Sequence, residues 1–370
     1  MKEHIPRLDV IRALAFLLVF VFHFGARTPQ FILPWNGYYV NYGAWPTLSW
    51  PLLWMPWGWL GVALFFVLSG FCIHLSYLHQ SKPFTIKDFY WRRFLRIYPA
   101  YFLAMIVCFA LMPWLQSPYK HAYQLLPHLL LIHNLFKCTF LGINGVFWSL
   151  GVEVQFYLLY PLLLRLRERI GIAGCACAAL ILNIILQLYL TLSRNVIDSP
   201  ISSTWSFPLV TWCDWILGAC AAEAFVEGRS MFKHKFFFMF LSLFLLLMAL
   251  NYKPIWVQSF LFASVFCTVV MEHYLSWKTP VSFLERLLIP IGLVSYSLYL
   301  WHIPVIELLR DFGDWLGLPS TPLAMSLIYL PATILCLTPL VIASYYWVEL
   351  GVPRYFSRSL KIRHHLWDKS

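Results

Sequence analysis

The chain has 370 residues, of which 61% are apolar and only 12% are charged. A soluble domain carries roughly 25% charged residues, so this composition excludes a water-soluble globular protein and indicates that a lipid bilayer surrounds the chain. The formal net charge of +11 would favour a nucleic-acid partner in a soluble protein, but here the basic residues are grouped between apolar segments, and no nucleic acid is expected.

Ten apolar segments are predicted to cross the membrane as helices, each of which needs about 20 predominantly apolar residues. They lie near 10–27, 58–79, 97–116, 147–165, 171–192, 205–226, 236–251, 254–273, 287–309 and 323–348. The sequence therefore predicts an all-α integral membrane protein of about ten transmembrane helices. Residues 1–353 form one transmembrane domain in this interpretation, and 354–370 form a basic cytoplasmic tail.

The loops between these helices predict the orientation. If the N-terminus is cytoplasmic, most of the 27 lysines and arginines fall in cytoplasmic segments, as the positive-inside rule requires, and the C-terminus is cytoplasmic too.

The first outer loop, 28–57, has no charged residue and is rich in Trp and Tyr, which either stack on a sugar or anchor the membrane interface. Segment 121–136 is apolar but short and contains three histidines, so we expect it to be re-entrant or interfacial.

Ionisable residues inside the predicted helices are functional candidates, because burying them in hydrocarbon is costly. Asp9 and Arg12 lie at the cytoplasmic end of the first helix, and His23 lies about 16 Å farther toward the outer side. Histidine can take and return a proton near neutral pH, although a lone histidine in an apolar helix can also be a packing residue. Glu153 and His302 are predicted at a similar depth, where a carboxylate could orient an imidazole.

Three arginines, Arg92, Arg93 and Arg96, precede the third predicted helix. Arg93 and Arg96 are three residues apart, so on a helix they would face the same way. Two guanidinium groups on one face can hold phosphate oxygens. The alternative is that these arginines bind lipid headgroups or only set the topology.

Five stretches of the sequence, in family order, resemble the acyltransferase-3 family, the membrane O-acetylases of bacterial envelope glycans. They are 7–12 with His23, 64–71, 92–99, 148–157 and 295–302. A weaker match at 349–353 resembles the Glu-x-Pro ending of the family but has two extra residues between Glu349 and Pro353.

The resemblance implies ten helices and roles for individual residues. Arg12 and His23 match the Arg-x10-His pair of the family, with His23 catalytic, and Arg93 and Arg96 match its Arg-x-x-Arg element, which is associated with acyl-CoA. The candidates are His23, Glu153, Arg12 and Asp9 for catalysis, Arg93, Arg96 and Arg92 for acyl-CoA binding, and His302, Tyr299, Ser69 and Glu349 as secondary site residues. No metal site is expected, because the histidine spacings contain no HExxH-like pair.

The function expected from the resemblance is transfer of an acyl group, with acetyl favoured, from cytosolic acyl-CoA to a hydroxyl of an envelope polysaccharide such as LPS O-antigen. The protein would lie in a bacterial inner membrane, with acyl-CoA as co-substrate, a carbohydrate acceptor on the outer side and no permanently bound cofactor. Direct transfer and an acyl-histidine relay both fit, and the acyl chain, the acceptor and the oligomeric state stay open at this point. The alternatives are a transporter or flippase of an envelope glycan or lipid precursor, and a glycan polymerase or ligase.

Overall fold

The structure, a computed structural model, describes residues 4–26, 55–111, 121–192, 206–252, 255 and 258–356. All regular secondary structure within these ranges is helical. The aromatic outer loop predicted at 28–57 lies outside the described residues up to position 54, and so does the predicted basic tail from position 357 onward.

The main helices follow the predicted apolar segments. They are α1 (Pro6–Gly25), α2 (Leu60–Leu78), α3 (Ile86–Leu111), α4 (Phe147–Leu192), α5 (Pro208–Val226), α6 (Lys235–Asn251), α7 (Ser259–Leu275), α8 (Phe283–Leu293), α9 (Ser295–Trp315) and α10 (Leu330–Ala343). Short π-helical turns, Met325–Tyr329 and Ser344–Glu349, flank α10, so the apolar span there runs through Met325–Phe356.

Six helices in the described ranges are long and apolar enough to cross a membrane, or seven if the bent pair of α8 and α9 is one span. α6 and α7 are apolar but shorter. The predicted all-α, multi-pass membrane fold is confirmed. The count of ten helices and the orientation of the termini stay predictions.

Several helices differ from their predicted bounds. α3 begins at Ile86 instead of 97, just after Thr85, whose hydroxyl donates a 2.6 Å hydrogen bond to the Asp88 carboxylate in the first turn. The three arginines near its start therefore lie inside the helix and do not precede it. α4 continues across the predicted loop and breaks at Gly171, where φ is +71°, a conformation that glycine adopts without strain. α8 and α9 meet at a bend of 73°.

Glycines let α2 and α5 pack with their backbones in contact. A Cβ atom added to Gly70 would overlap the carbonyl oxygen of Trp215, and one added to Gly218 would overlap that of Val67. α1 and α8 approach in the same way, because a Cβ on Gly292 would overlap the carbonyl oxygen of Asp9. Small residues that allow such close approach are typical of helix pairs in membranes, and here they fix the walls of the site described below.

Residues 121–146, the described part of the segment between α3 and α4, contain no helix long enough to span a membrane. They contain the short helix Leu125–Leu129 and one-turn 3₁₀ elements. The rings of His128 and His133 stack with their centroids 4.0 Å apart, and both residues are buried. Burial lowers the pKa of both histidines, and the neighbouring His128 lowers the pKa of His133 further.

Candidate active site

One cavity of about 170 Å³ lies between α1, α2, α3, α4 and α9. Six of the residues singled out in the sequence line it: Arg12, Ser69, Arg93, Arg96, Glu153 and Tyr299. They come from five helices that are far apart in the sequence. The motifs that the sequence presents separately therefore meet at a single place.

Arg12 is held at the cavity wall by two groups. Its guanidinium donates to the Asp9 carboxylate three residues earlier on α1, and to the Cys72 sulfur of α2 at 3.2 Å. Asp9 is only 1% exposed and also contacts the His4 Nε2 at 2.6 Å. Asp9 is not among the residues that line the cavity, so its position is that of a group that orients Arg12 and balances its charge.

The arginines of α3 have different surroundings. The Arg96 guanidinium lies 3.2 Å from the Glu349 carboxylate, which is buried and accepts a 3.0 Å hydrogen bond from the Ser297 hydroxyl. Arg93 has no carboxylate partner among the described residues, and its Cζ lies 5.8 Å from the centroid of the Tyr157 ring. Arg92 does not line this cavity but a neighbouring one. The structure thus places Glu349, the weakest of the family matches, beside Arg96.

Glu153 faces the cavity from α4. Its carboxylate accepts a 2.5 Å hydrogen bond from the Tyr157 hydroxyl, one turn farther along the same helix. The Tyr157 hydroxyl also lies 3.5 Å from Ser69 Oγ, which accepts a 3.2 Å hydrogen bond from the Trp215 indole. Glu153 is therefore oriented within the cavity by a tyrosine that the sequence interpretation did not include among the site residues. The predicted pairing of Glu153 with His23 stays a prediction.

His23 and His302 lie beyond the cavity wall that Tyr299 forms. The Tyr299 hydroxyl lies 2.6 Å from Ser149 Oγ in the cavity lining, and its ring centroid lies 5.8 Å from that of His302. His302 Nε2 lies 3.2 Å from His23 Nδ1, so the two imidazoles from α9 and α1 contact each other. His302 is fully buried, and His23 is partly buried.

The hydrogen bonds assign the protons of the two imidazoles. His302 Nδ1 lies 2.9 Å from the Tyr299 carbonyl oxygen, which can only accept, so Nδ1 carries the proton and Nε2 carries the lone pair. His302 Nε2 then accepts from His23 Nδ1–H, which also lies 2.9 Å from the Val19 carbonyl oxygen. A neutral His23 in this tautomer carries its lone pair on Nε2, the form in which it can act as a base or nucleophile.

A second buried polar cluster was not found from the sequence. The Glu223 carboxylate in α5 accepts from Arg167 and lies 3.0 Å from His74 Nε2, while His74 Nδ1 lies 3.1 Å from the Tyr160 hydroxyl. His74 is fully buried, with 0% of its surface accessible. A histidine and a glutamate inside apolar helices are a signal of such a cluster. Within the described residues, no group of three or more His, Cys, Asp or Glu residues could hold a metal ion.

Comparisons with known proteins show which proteins this chain is similar to. A family model described as an acyltransferase domain matches residues 5–342. O-acetyltransferase OatA of Staphylococcus aureus is 23% identical over 342 residues, which cover 84% of this chain and 52% of the relative. Acyltransferase MdmB of Streptomyces mycarofaciens is 28% identical over 181 residues, 45% of this chain and 46% of the relative.

This chain spans about half the length of the curated relatives it matches. No solved structure matches it significantly. The family model nevertheless extends over most of the chain and contains every helix from α1 to α9. The chain belongs to the acyltransferase-3 family.

Proposed function

We propose that this protein transfers an acyl group, preferably acetyl, from cytosolic acyl-CoA to a hydroxyl of an envelope polysaccharide such as LPS O-antigen. The protein would act in a bacterial inner membrane, with the donor on the cytoplasmic side and the acceptor on the outer side. One observation carries the proposal: Tyr299 lines the arginine-lined cavity, and its ring centroid lies 5.8 Å from that of His302, which contacts His23.

The cavity suits the reactive end of the donor. Its volume of about 170 Å³ is below the roughly 300–1,000 Å³ of ordinary small-molecule sites, so it can admit a thin, flexible thioester arm but not a nucleotide. Arg93 and Arg96 at its cytoplasmic side would contact the phosphates, since guanidinium groups bind phosphate oxygens strongly. Arg12, which donates to Asp9 and also lines the cavity, would contact the donor as well.

His23 would supply the base for the transfer. Its Nε2 takes the proton of the acceptor hydroxyl, the hydroxyl oxygen attacks the thioester carbonyl, and the C–S bond breaks to leave the CoA thiolate. The proton then passes from His23 to the thiolate sulfur, so that CoA leaves as the free thiol and His23 is neutral again. His302 accepts from His23 Nδ1–H throughout, and so holds the tautomer and stabilises the imidazolium, the part that an aspartate plays in a Ser-His-Asp triad.

An acyl-histidine relay uses the same groups in two steps. His23 Nε2 would attack the thioester and release the thiolate, and the acceptor hydroxyl would then attack the acyl-imidazole. Glu153, which accepts a hydrogen bond from Tyr157, would in either case contact the donor, because both residues line the cavity that the thioester arm would enter.

Thioester turnover by the purified protein tests the proposal. Radiolabelled acetyl-CoA would be incubated with the wild type, His23→Ala and the Arg93→Ala/Arg96→Ala double variant in detergent, with and without a polysaccharide acceptor. We expect His23→Ala to bind acetyl-CoA without turnover and the double variant to lose binding. Normal acylation by a well-folded His23→Ala protein would refute the assignment of the base. Absence of thioester cleavage by the wild type with both acetyl-CoA and succinyl-CoA would favour the transporter instead.

A further inference from the structure

A second cavity lies where α2 and α3 meet, and the function proposed above does not yet use it. It has a volume of about 850 Å³, within the range of ordinary small-molecule sites. The end of α2, the loop between the helices, the start of α3 and Tyr160 of α4 form its walls. Under the positive-inside rule this loop is cytoplasmic.

The walls of this cavity carry an excess of positive charge and several aromatic faces. Lys82, Arg92 and Arg93 line it, against one carboxylate, that of Asp88. The aromatic lining residues are Tyr77, Phe84, Phe89 and Tyr160. Tyr77 and Phe84 are half-buried, whereas Phe89 and Tyr160 are buried. The basic groups suit the phosphates of a ligand, and the half-buried rings of Tyr77 and Phe84 can contact a flat heterocycle beside them.

The two cavities share a boundary. Ile73 and Arg93 line both of them. The Arg93 Cζ lies 5.8 Å from the ring centroid of Tyr157, in the smaller cavity, and 5.7 Å from that of Phe89, in the larger one. Arg93 Nε is buried and has no hydrogen-bond partner among the described residues. Arg93 is half-buried, and it has no acidic partner among the described residues. A guanidinium in such a position at the junction of two cavities is a place where an anionic ligand would bind.

We propose that the larger cavity binds the 3′-phosphoadenosine diphosphate end of the acyl-CoA, while the pantetheine arm passes Arg93 into the smaller cavity. The inference rests on the proposed function, since it places the nucleotide of the same donor. The smaller cavity is too small for a nucleotide, and the larger one adjoins it at Arg93, which has no acidic partner among the described residues. Lys82 and Arg92, both exposed to the larger cavity, contact the 3′-phosphate, and the diphosphate lies nearer to Arg93 at the junction.

Donors with and without the nucleotide test this placement. Acetyl-CoA and acetyl-pantetheine would be compared as donors for the wild type, a Lys82→Ala/Arg92→Ala double variant, and Lys87→Ala. Lys87 is also exposed near the start of α3 but lines neither cavity, so it is the matched control. We expect kcat/KM for acetyl-CoA to fall about 10- to 100-fold in the double variant, since remote binding energy is lost, and to change less than twofold for acetyl-pantetheine.

A second measurement applies if acetyl-pantetheine turns over too slowly to follow. Adenosine 3′,5′-bisphosphate should inhibit the wild type and Lys87→Ala competitively with acetyl-CoA, and should inhibit the double variant at least 10-fold more weakly. Equal losses with both donors, or equal inhibition of all three proteins, would overturn the nucleotide site and would fit basic residues that only contact anionic lipid. Wild-type protein that cleaves neither donor would refute the proposed function itself.

Discussion

Substitution of His302 would show whether one imidazole orients the other. His302 is fully buried, donates from Nδ1 to the Tyr299 carbonyl oxygen at 2.9 Å, and receives His23 Nδ1–H at 3.2 Å. Glutamine can place an amide oxygen near the position of Nε2 and keep this acceptor. Methionine has a similar length but an unbranched end and no comparable acceptor. His302→Gln and His302→Met are thus a matched pair that differs in the hydrogen bond to His23.

The size of the effect follows from that hydrogen bond. When His23 takes the proton of the acceptor, its Nδ1–H becomes part of an imidazolium, and a hydrogen bond to a charged group contributes about 1.5–3 kcal/mol. Each 1.36 kcal/mol of transition-state stabilisation corresponds to about a tenfold change in rate. We therefore expect His302→Met to lower kcat about 10- to 150-fold with little change in the KM for acetyl-CoA, and His302→Gln to stay within about fivefold of the wild type.

The assay is acetyl-CoA turnover at saturating acceptor, with the amount of folded protein measured for each variant by its elution in detergent. Equal kcat values for the two variants at equal folded amounts would refute the orienting role. A parallel loss in the folded amount of both variants would instead assign His302 to packing against the phenylalanines of α1.

Gly218→Ala should reduce the yield of folded protein, because its methyl group would overlap the backbone of α2, whereas Gly145→Ala, whose methyl group would meet only the terminal methyl group of Ile303 at 3.9 Å, should not. Glu223→Gln should lower the thermal midpoint in detergent by several degrees, since it leaves Arg167 without its buried partner, while Glu227→Gln, in an exposed pair, should change it by less than about a degree. Acidification from pH 7.5 to 5.5 should destabilise the wild type more than His133→Gln. The pKa of buried His133 is lowered, so the unfolded chain takes up the proton first and stability is lost as the pH falls.

The sequence was sufficient for the fold class because apolar length is a local property. Each helix of the structure overlaps an apolar segment, and the bilayer requires that backbone groups bond within such segments. The predicted start of α3 was wrong by eleven residues, because the run of arginines was interpreted as lying outside the helix. Arginine side chains can extend from a helix to the membrane surface, so the arginines lie within the first turns of α3 and do not mark its start.

The contacts inside the site were harder to predict. His23, Glu153 and His302 were predicted at a similar depth, but depth does not determine which helices are neighbours. Packing brings α1 against α9, so the two histidines meet, while Glu153 bonds to Tyr157 within its own helix. The second of these contacts is accessible from the sequence, because residues four apart share a helix face. The first depends on the fold of the whole bundle.

The position of Tyr299 between the arginine-lined cavity and the histidines has an electrical consequence. In the proposed reaction the acceptor loses a proton on the outer side and the CoA thiolate gains one on the cytoplasmic side. One positive charge then crosses the membrane in each turnover, and a membrane potential of 100 mV changes the free energy of that transfer by about 2.3 kcal/mol. A negative interior would favour acetylation, and collapse of the potential in sealed vesicles should slow it; an unchanged rate would mean that the proton returns to the side it came from.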